Sequence, residues 1–337
     1  MEKNHNSVLN KIFKKMPRFK FNKLKMEDIE NLEELKNVDY TKIEPPKPKM
    51  KKGEHYQETN YQTVKDIYLH TMQAYSKRTF ILDKINPKDE KFKEYSFREF
   101  GDDVERLGTV LIQKTNLESN RIVIIGENQY DWYVSYMTAL MGAGIAVPVD
   151  KELPENEIEN VVNRAKATVI IFSKHLKDKM KNIVEKVPTV QYFIEMKSDY
   201  ELDGKFIGFD TMLSEGRKLI SDGEDSFLKI GISPEEFKAL FFTSGTTSNS
   251  KGVMVNNRQL ANNINAISAY AKVYETDRFF SVLPLHHTYE SSIGFLLPFA
   301  CRIFYCCLSR IKIYFRQFEG NASNRIDCSS FIIRKLI

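Results

Sequence analysis

Between Tyr61 and His287 the apolar positions fall in short blocks of alternating period. "RIVIIGEN" over 121–128 is an unbroken apolar run closed by a turn, the pattern of a parallel strand buried on both faces. "IAVPVD", "ATVIIFS", "VQYFIEM", "FKALFFTSG" and "DRFFSVLPLHH" repeat it. Helical spacing fills the gaps. Ser96 and Glu99 form a capping box, and Val104, Leu107, Val110 and Leu111 then share one face. "DWYVSYMTALMGAG" reads as a helix stopped by Gly142 and Gly144. Pro154 opens another, with Ile158, Val161, Val162 and Ala165 on one side. Leu260, Ile264 and Ile267 stripe a third. Alternation of strand and helix predicts an α/β fold with mainly parallel sheets and flanking helices, in which ligands bind at the carboxyl ends of strands. No internal repeat is visible.

The flanks differ from this body. Residues 1–60 are polar and rich in lysine and proline, and read as a basic extended arm. Its first 25 residues carry Ile12, Phe13, Phe19 and Phe21 among lysines. They read as a solvated tail, with peripheral contact to an anionic membrane surface as the alternative. Composition over 337 residues is that of a globular chain, 42% hydrophobic and 28% charged, with a net charge of +5. A secretory h-region is missing, as is an uninterrupted apolar run of membrane-spanning length, so the expected location is cytoplasmic or at the inner membrane face. No basic stripe with interleaved aromatics appears, so nucleic acid is not an expected partner. All four cysteines, Cys301, Cys306, Cys307 and Cys328, lie after residue 300. With no histidine near them they do not form a zinc pattern.

Candidate chemistry concentrates in "FFTSGTTSNSKGVMVNN", from Phe241 to Asn257. Thr243 to Ser250 are too small and polar to pack a core. Hydroxyls and backbone N–H groups in a tight loop form an anion cradle, Gly245 frees the backbone, and Lys251 adds a full positive charge. Many donors plus one ammonium suit a polyphosphate. The spacing differs from the Walker loop, because a serine precedes the lysine and a glycine follows it. A flexible Ser/Thr linker is the alternative, disfavoured by the apolar runs "KALFF" and "VMV" on either side.

"FTSGTTSNSKGVMV" resembles the phosphate-binding motif of the adenylate-forming, or AMP-binding, superfamily. Thr243, Ser244, Gly245, Thr246, Thr247, Lys251, Gly252 and Val253 match its usual form. Ser248 stands where glycine is usual and Ser250 where proline is usual. "LPLHHTYE" over 283–290 is similar to a segment seen especially in long-chain acyl-CoA synthetases, with His287 at its histidine. On chemistry alone a histidine pair after a strand is more often structural or solvent-facing. "IGENQYDWYVSYMTALMGAGIAVPVD" resembles the superfamily's early region. The resemblance covers roughly residues 60 to 300. It implies ATP with Mg2+ and coenzyme A as cosubstrates and a fatty acid as the carboxylate, without fixing its length. Thr243, Ser244, Gly245, Thr246, Thr247 and Lys251 would hold the outer phosphates, and His287 would shape the site where carboxylate meets α-phosphate. No metal ligands are assigned. A carrier protein in place of coenzyme A is a second option.

The superfamily's later segments, for adenine, ribose and the mobile carboxyl-terminal domain, have no counterpart in this sequence. The expectation is an incomplete amino-terminal domain over 61–301, with little or no activity by itself. From residue 302 to 337 acidic residues nearly vanish, arginine replaces much of the lysine and no clean helix or strand period holds. Choosing allowed codons for this stretch and dropping one base yields, among the peptides so permitted, one that looks like a synthetase continuation. A frameshift near Cys301–Arg302 is therefore expected, making 302–337 a non-native tail.

Overall fold

The computed structural model describes residues 59–75, 77–83, 92–117, 120–243, 251–270, 278–281, 283–301, 304–307, 326–327 and 332–333. Tyr61 is tied to the body by Asn265, whose Oδ1 accepts from the Tyr61 N–H at 3.1 Å and whose Nδ2 donates to the Tyr61 carbonyl at 2.8 Å. The elements are α1 (Val64–Tyr75), β1 (Thr79–Asp83), β2 (Lys93–Ser96), α2 (Phe97–Lys114), β3 (Arg121–Ile125), α3 (Tyr130–Thr138) and β4 (Ile145–Val149). Then come α4 (Glu155–Ala165), β5 (Val169–Phe172), α5 (Lys177–Ile183), β6 (Tyr192–Glu195), β7 (Phe206–Gly208), α6 (Phe209–Ser221) and α7 (Ser226–Lys229). The rest are β8 (Phe237–Thr243), β9 (Lys251–Asn256), α8 (Asn257–Tyr270), β10 (Arg278–Ser281), a π-helix (Glu290–Leu296), α9 (Leu297–Ala300), β11 (Phe304–Cys307), β12 (Ile326–Asp327) and β13 (Ile332–Ile333).

Two sheets result among the described residues. The larger runs β7-β6-β5-β3-β4-β8-β9, parallel except for β9, which returns against β8. Its central strands are buried on both faces, as Ile122 to Ile125 and Val169 to Phe172 show, and an all-apolar run is what such a position requires. The other runs β12-β13-β10-β11-β1-β2, with β11 parallel to both β1 and β10. β11 is thus an interior strand in a stretch where the residue pattern shows no strand period. The expected frameshifted tail otherwise lies mostly outside the described residues.

The expected capping box is present: the Glu99 N–H donates to Ser96 Oγ at 3.1 Å and the Ser96 N–H donates to the Glu99 carboxylate at 2.7 Å. The helix it opens, α2, buries Val104, Leu107, Val110 and Leu111. The helix expected over 131–144 ends as α3 and one wide π-turn, Ala139–Ala143, in which Gly142 has φ 124°. That conformation explains why glycine stands there. An aromatic core joins the layers: Phe80 stacks on Phe97 at 4.4 Å, and Phe295 meets Tyr133 at 4.8 Å.

Helices α2 and α6 approach backbone to backbone. A Cβ on Gly216 would sit inside the van der Waals contact of the Arg106 carbonyl oxygen. A carbonyl inside a helix cannot swing away as a side chain can, so the helices themselves must part. Gly216→Ala is expected to destabilise the fold by about 2 kcal/mol, against the small gain alanine brings to a helix interior. The urea midpoint checks this; an unchanged midpoint would show that the two helices are free to separate.

Candidate functional site

β3, β4, β5 and β8 are parallel, so their carboxyl ends lie along one edge of the larger sheet. Glu127 and Asn128 follow β3, Asp150 and Lys151 follow β4, Ser173 and His175 follow β5, and Thr243 ends β8. β10 delivers its own carboxyl end, Ser281, and the turn after it, to the same edge. His286 Nε2 lies 3.7 Å from Asp150 Oδ2. Asn128 Nδ2 donates to Ser281 Oγ at 2.6 Å and to the Leu283 carbonyl at 2.7 Å. Its Oδ1 accepts from the Leu285 N–H at 3.3 Å.

Beneath the turn is a buried polar knot. Ser281 Oγ receives the Tyr133 hydroxyl at 2.8 Å and donates to Glu290 Oε1 at 2.9 Å. Glu290 and Ser281 are both buried, so each bond stands in for lost water. A side chain on Gly294 would collide with the Glu290 carboxylate, which accounts for glycine there.

The electrostatics of the edge are mixed. Burial lowers the His286 pKa and the charges of His287 and Lys151 push the same way, while Asp150 opposes them. His286 therefore favours the neutral imidazole. Burial would raise the Glu127 carboxyl, but hydrogen bonds from His175 and Ser173 outweigh it and hold it well below the ordinary range. The His175 ring lies 3.0 Å from Glu127 and Lys151 at 4.0 Å.

Of the residues singled out in the sequence, Lys251 opens β9, is exposed, and pairs in register with Thr243, the last residue of β8. The hydroxyl segment is thus bracketed by two paired strand residues. The Thr243 side chain and all of Ser244, Gly245, Thr246 and Thr247 lie outside the described residues. The His287 ring is exposed, 4.2 Å from that of His286. Its carbonyl accepts from the Ser291 N–H at 3.0 Å and so caps the start of the π-helix. The nearer contact with the strand ends belongs to His286, the other member of the histidine pair, while the roles of Asn128, Asp150 and Glu290 carry no signal in the sequence. "GEN" and "VPVD" were visible as strand ends; nothing in their spacing says that both meet the turn after β10.

Among the described residues no group of three or more His, Cys, Asp or Glu side chains is gathered as a metal site. Nor, among them, is any helix long and apolar enough to cross a membrane.

The family model for "AMP-binding enzyme" matches residues 70–314. The peroxisomal long chain acyl-CoA synthetase 7 of Arabidopsis thaliana is 23% identical over 233 residues, covering 68% of this chain and 33% of the relative. The long-chain-fatty-acid–CoA ligase 5 of Rattus norvegicus is 26% identical over 227 residues, covering 63% and 33%. The chain therefore spans about a third of the length of these curated relatives. A crystal structure of a long-chain-fatty-acid-CoA ligase from Archaeoglobus fulgidus superposes with a TM-score of 0.64 at 18% identity, over 81% of this chain and 52% of that one. That likeness establishes the fold.

Proposed function

The chain belongs to the AMP-binding enzyme family, and from that premise we propose that it serves ATP-dependent activation of a fatty acid, first to the acyl adenylate and then to the coenzyme A thioester. In the first step a carboxylate oxygen attacks the α-phosphorus of ATP, and the bond to the bridging oxygen of pyrophosphate breaks. In the second a thiol adds to the acyl carbon, AMP leaves with the electron pair, and the thiol proton passes to solvent. The first step turns a poor acyl donor, whose leaving group would be oxide, into one whose leaving group is AMP.

The barrier in that step is largely charge, since an anion must approach a polyanion. Positioning and neutralisation lower it. Thr243, Ser244, Gly245, Thr246, Thr247 and Lys251 are proposed to hold the outer phosphates as pyrophosphate departs. Mg2+ would arrive as the nucleotide's counter-ion, bound to the phosphate oxygens. The His286–His287 turn is proposed to border the acyl carboxylate, where a neutral imidazole can donate or accept without repelling Mg2+.

The observation that supports this reading is where the flanking strands stand: β8 ends at Thr243 and β9 opens at Lys251, on the edge where His286 meets Asp150. Because the chain spans a third of its relatives, the two-step reaction is proposed for the protein's activity and nucleotide binding for these residues themselves. Residues 302–337 are proposed as the product of a frame change, although the family match runs past that point to residue 314. The DNA from codon 295 onward decides it.

Acid-dependent exchange of labelled pyrophosphate into ATP tests the activity. Exchange that needs a medium- or long-chain fatty acid is the expected result. Saturable ATP binding without exchange would confine these residues to holding nucleotide. Absence of both would overturn the reading.

A further inference from the structure

The turn between Ser281 and the π-helix carries the two histidines, yet part of its backbone borrows its hydrogen bonds from another element. The Leu283 carbonyl and the Leu285 N–H both pair with the side chain of one residue, Asn128. That residue lies 153 to 157 positions earlier, at the end of β3. Its amide uses both N–H hydrogens and its oxygen on this turn and the strand before it, with Ser281 as third partner. No other side chain type offers two donors and an acceptor on so short a stem. Aspartate would keep the acceptor and lose the donors; glutamine would carry the amide one methylene too far.

We propose that Asn128 is the positioning residue of the His286–His287 turn, fixing the distance of both imidazoles from the carboxyl ends of β3 and β4. It reaches no substrate itself. What the turn is held for rests on the function proposed above; that it is held by Asn128 does not. The knot beneath explains why one residue suffices. Ser281 is clamped between Tyr133, Glu290 and Asn128, so the first residue of the connection is fixed. Pro284 limits the backbone next, and the Pro284 carbonyl accepts from the His287 N–H at 3.1 Å. Between those anchors Asn128 ties the Leu283 carbonyl and the Leu285 N–H back to the end of β3, and so opposes a swing of 283–285 away from it. A turn that swings out takes His286 from its half-buried place beside Asp150 into water.

The histidine itself reports the outcome. The groups facing His286 are Asp150, Lys151 and His287; burial, reinforced by Lys151 and His287, outweighs Asp150. In the full chain, NMR titration of the His286 ring, identified by its loss in His286→Gln, should give a midpoint below the ordinary imidazole value. In Asn128→Ala that midpoint should rise towards the free value of about 6.5. In Asn128→Gln, which adds no charge but carries the amide one methylene too far, it should rise as well. Where acid-dependent exchange is measurable, KM for the fatty acid should rise about tenfold in Asn128→Ala. KM for ATP should change less than about twofold, because the phosphate segment is a separate element. A general loss of stability would move neither the native-state titration nor the ratio of the two KM values. An unchanged His286 midpoint in Asn128→Ala overturns the proposal. Should that variant fail to fold, Asn128→Gln decides by the same reading. Failure of both to fold also overturns it, because Asn128 would then support the whole domain. Absence of exchange in the parent chain would defeat the proposed function and leave the histidine titration to judge Asn128.

Discussion

Replacing Lys251 by alanine is expected to lower acid-dependent pyrophosphate exchange by about 10²-fold to 10³-fold, with the melting temperature unchanged. The second half of that expectation follows from placement. Lys251 is exposed at the first position of β9, and surface changes of that kind alter stability by about 0.5 kcal/mol or less. The first half turns on the dielectric around the phosphates. Two unit charges 4 Å apart in bulk water attract by only about 1 kcal/mol, which is roughly fivefold in rate. The same pair in a site closed by substrate is worth several times more. The size of the loss therefore separates two situations. A hundredfold loss places the ammonium on a phosphate from which water has been excluded. A loss below tenfold makes it one screened surface charge among many. Lys251→Arg keeps the charge but spreads it over a planar fork, so it should recover part of the activity. Where exchange is too slow to follow, ATP affinity by equilibrium dialysis replaces it. Equal affinity in parent and Lys251→Ala would remove the phosphate-binding role of the whole segment.

The layout of the sheets was readable because of how parallel strands are buried. β3 and β5 have apolar neighbours on both faces, so their residues form continuous hydrophobic runs that no surface helix shows. The helices that announced themselves had either a cap, as α2 has, or a clean stripe, as α4 has in Ile158, Val161, Val162 and Ala165. α1 and α6 went unread. α6 has a glycine at its contact with α2, so its stripe is interrupted where the packing is tightest. β11 escaped because a strand inside a sheet needs only partners, and "FYCC" takes them from β1 and β10. At the site, composition marked the hydroxyl segment without revealing what surrounds it. The contact of His286 with Asp150 and the three bonds of Asn128 join residues far apart in the chain, and long-range polar pairs leave no period in a sequence. The resemblance pointed to His287, and geometry gives its neighbour the closer link to the strand ends.

The stability of the parent chain should fall as pH rises from 4 towards 8, and Asp131→Asn should reduce that fall. Asp131 sits on α3, buried, with its carboxylate accepting the Lys197 N–H at 2.7 Å. Burial raises its pKa from 3.8 to about 7; the Lys197 amide and ammonium oppose the rise, while Asp210 and Asp83 add to it. The Lys197 ammonium is committed to Asp83 at 2.9 Å, so Asp131 has only part of its attraction. An unfolded chain releases the Asp131 proton near pH 4, whereas the folded chain keeps it to about pH 7. Between those limits the folded state binds more protons, and raising the pH draws the equilibrium towards the unfolded chain. The favourable contribution is complete below the unfolded value and is gone once pH passes the folded one. A difference of about three pKa units corresponds to about 4 kcal/mol, a large share of the stability of an ordinary domain. Asparagine copies the shape of the neutral acid and keeps an oxygen for the Lys197 N–H. Asp131→Asn should therefore match the parent near pH 4 and exceed it by a few kcal/mol near pH 8, read as urea midpoints across that range. Asp103 and Asp210 are also raised, chiefly by burial, and titrate in both proteins, so the difference between the two curves isolates Asp131. Parallel curves would mean that the charged carboxylate is accommodated, with Lys197 shared between Asp83 and Asp131 rather than held by one.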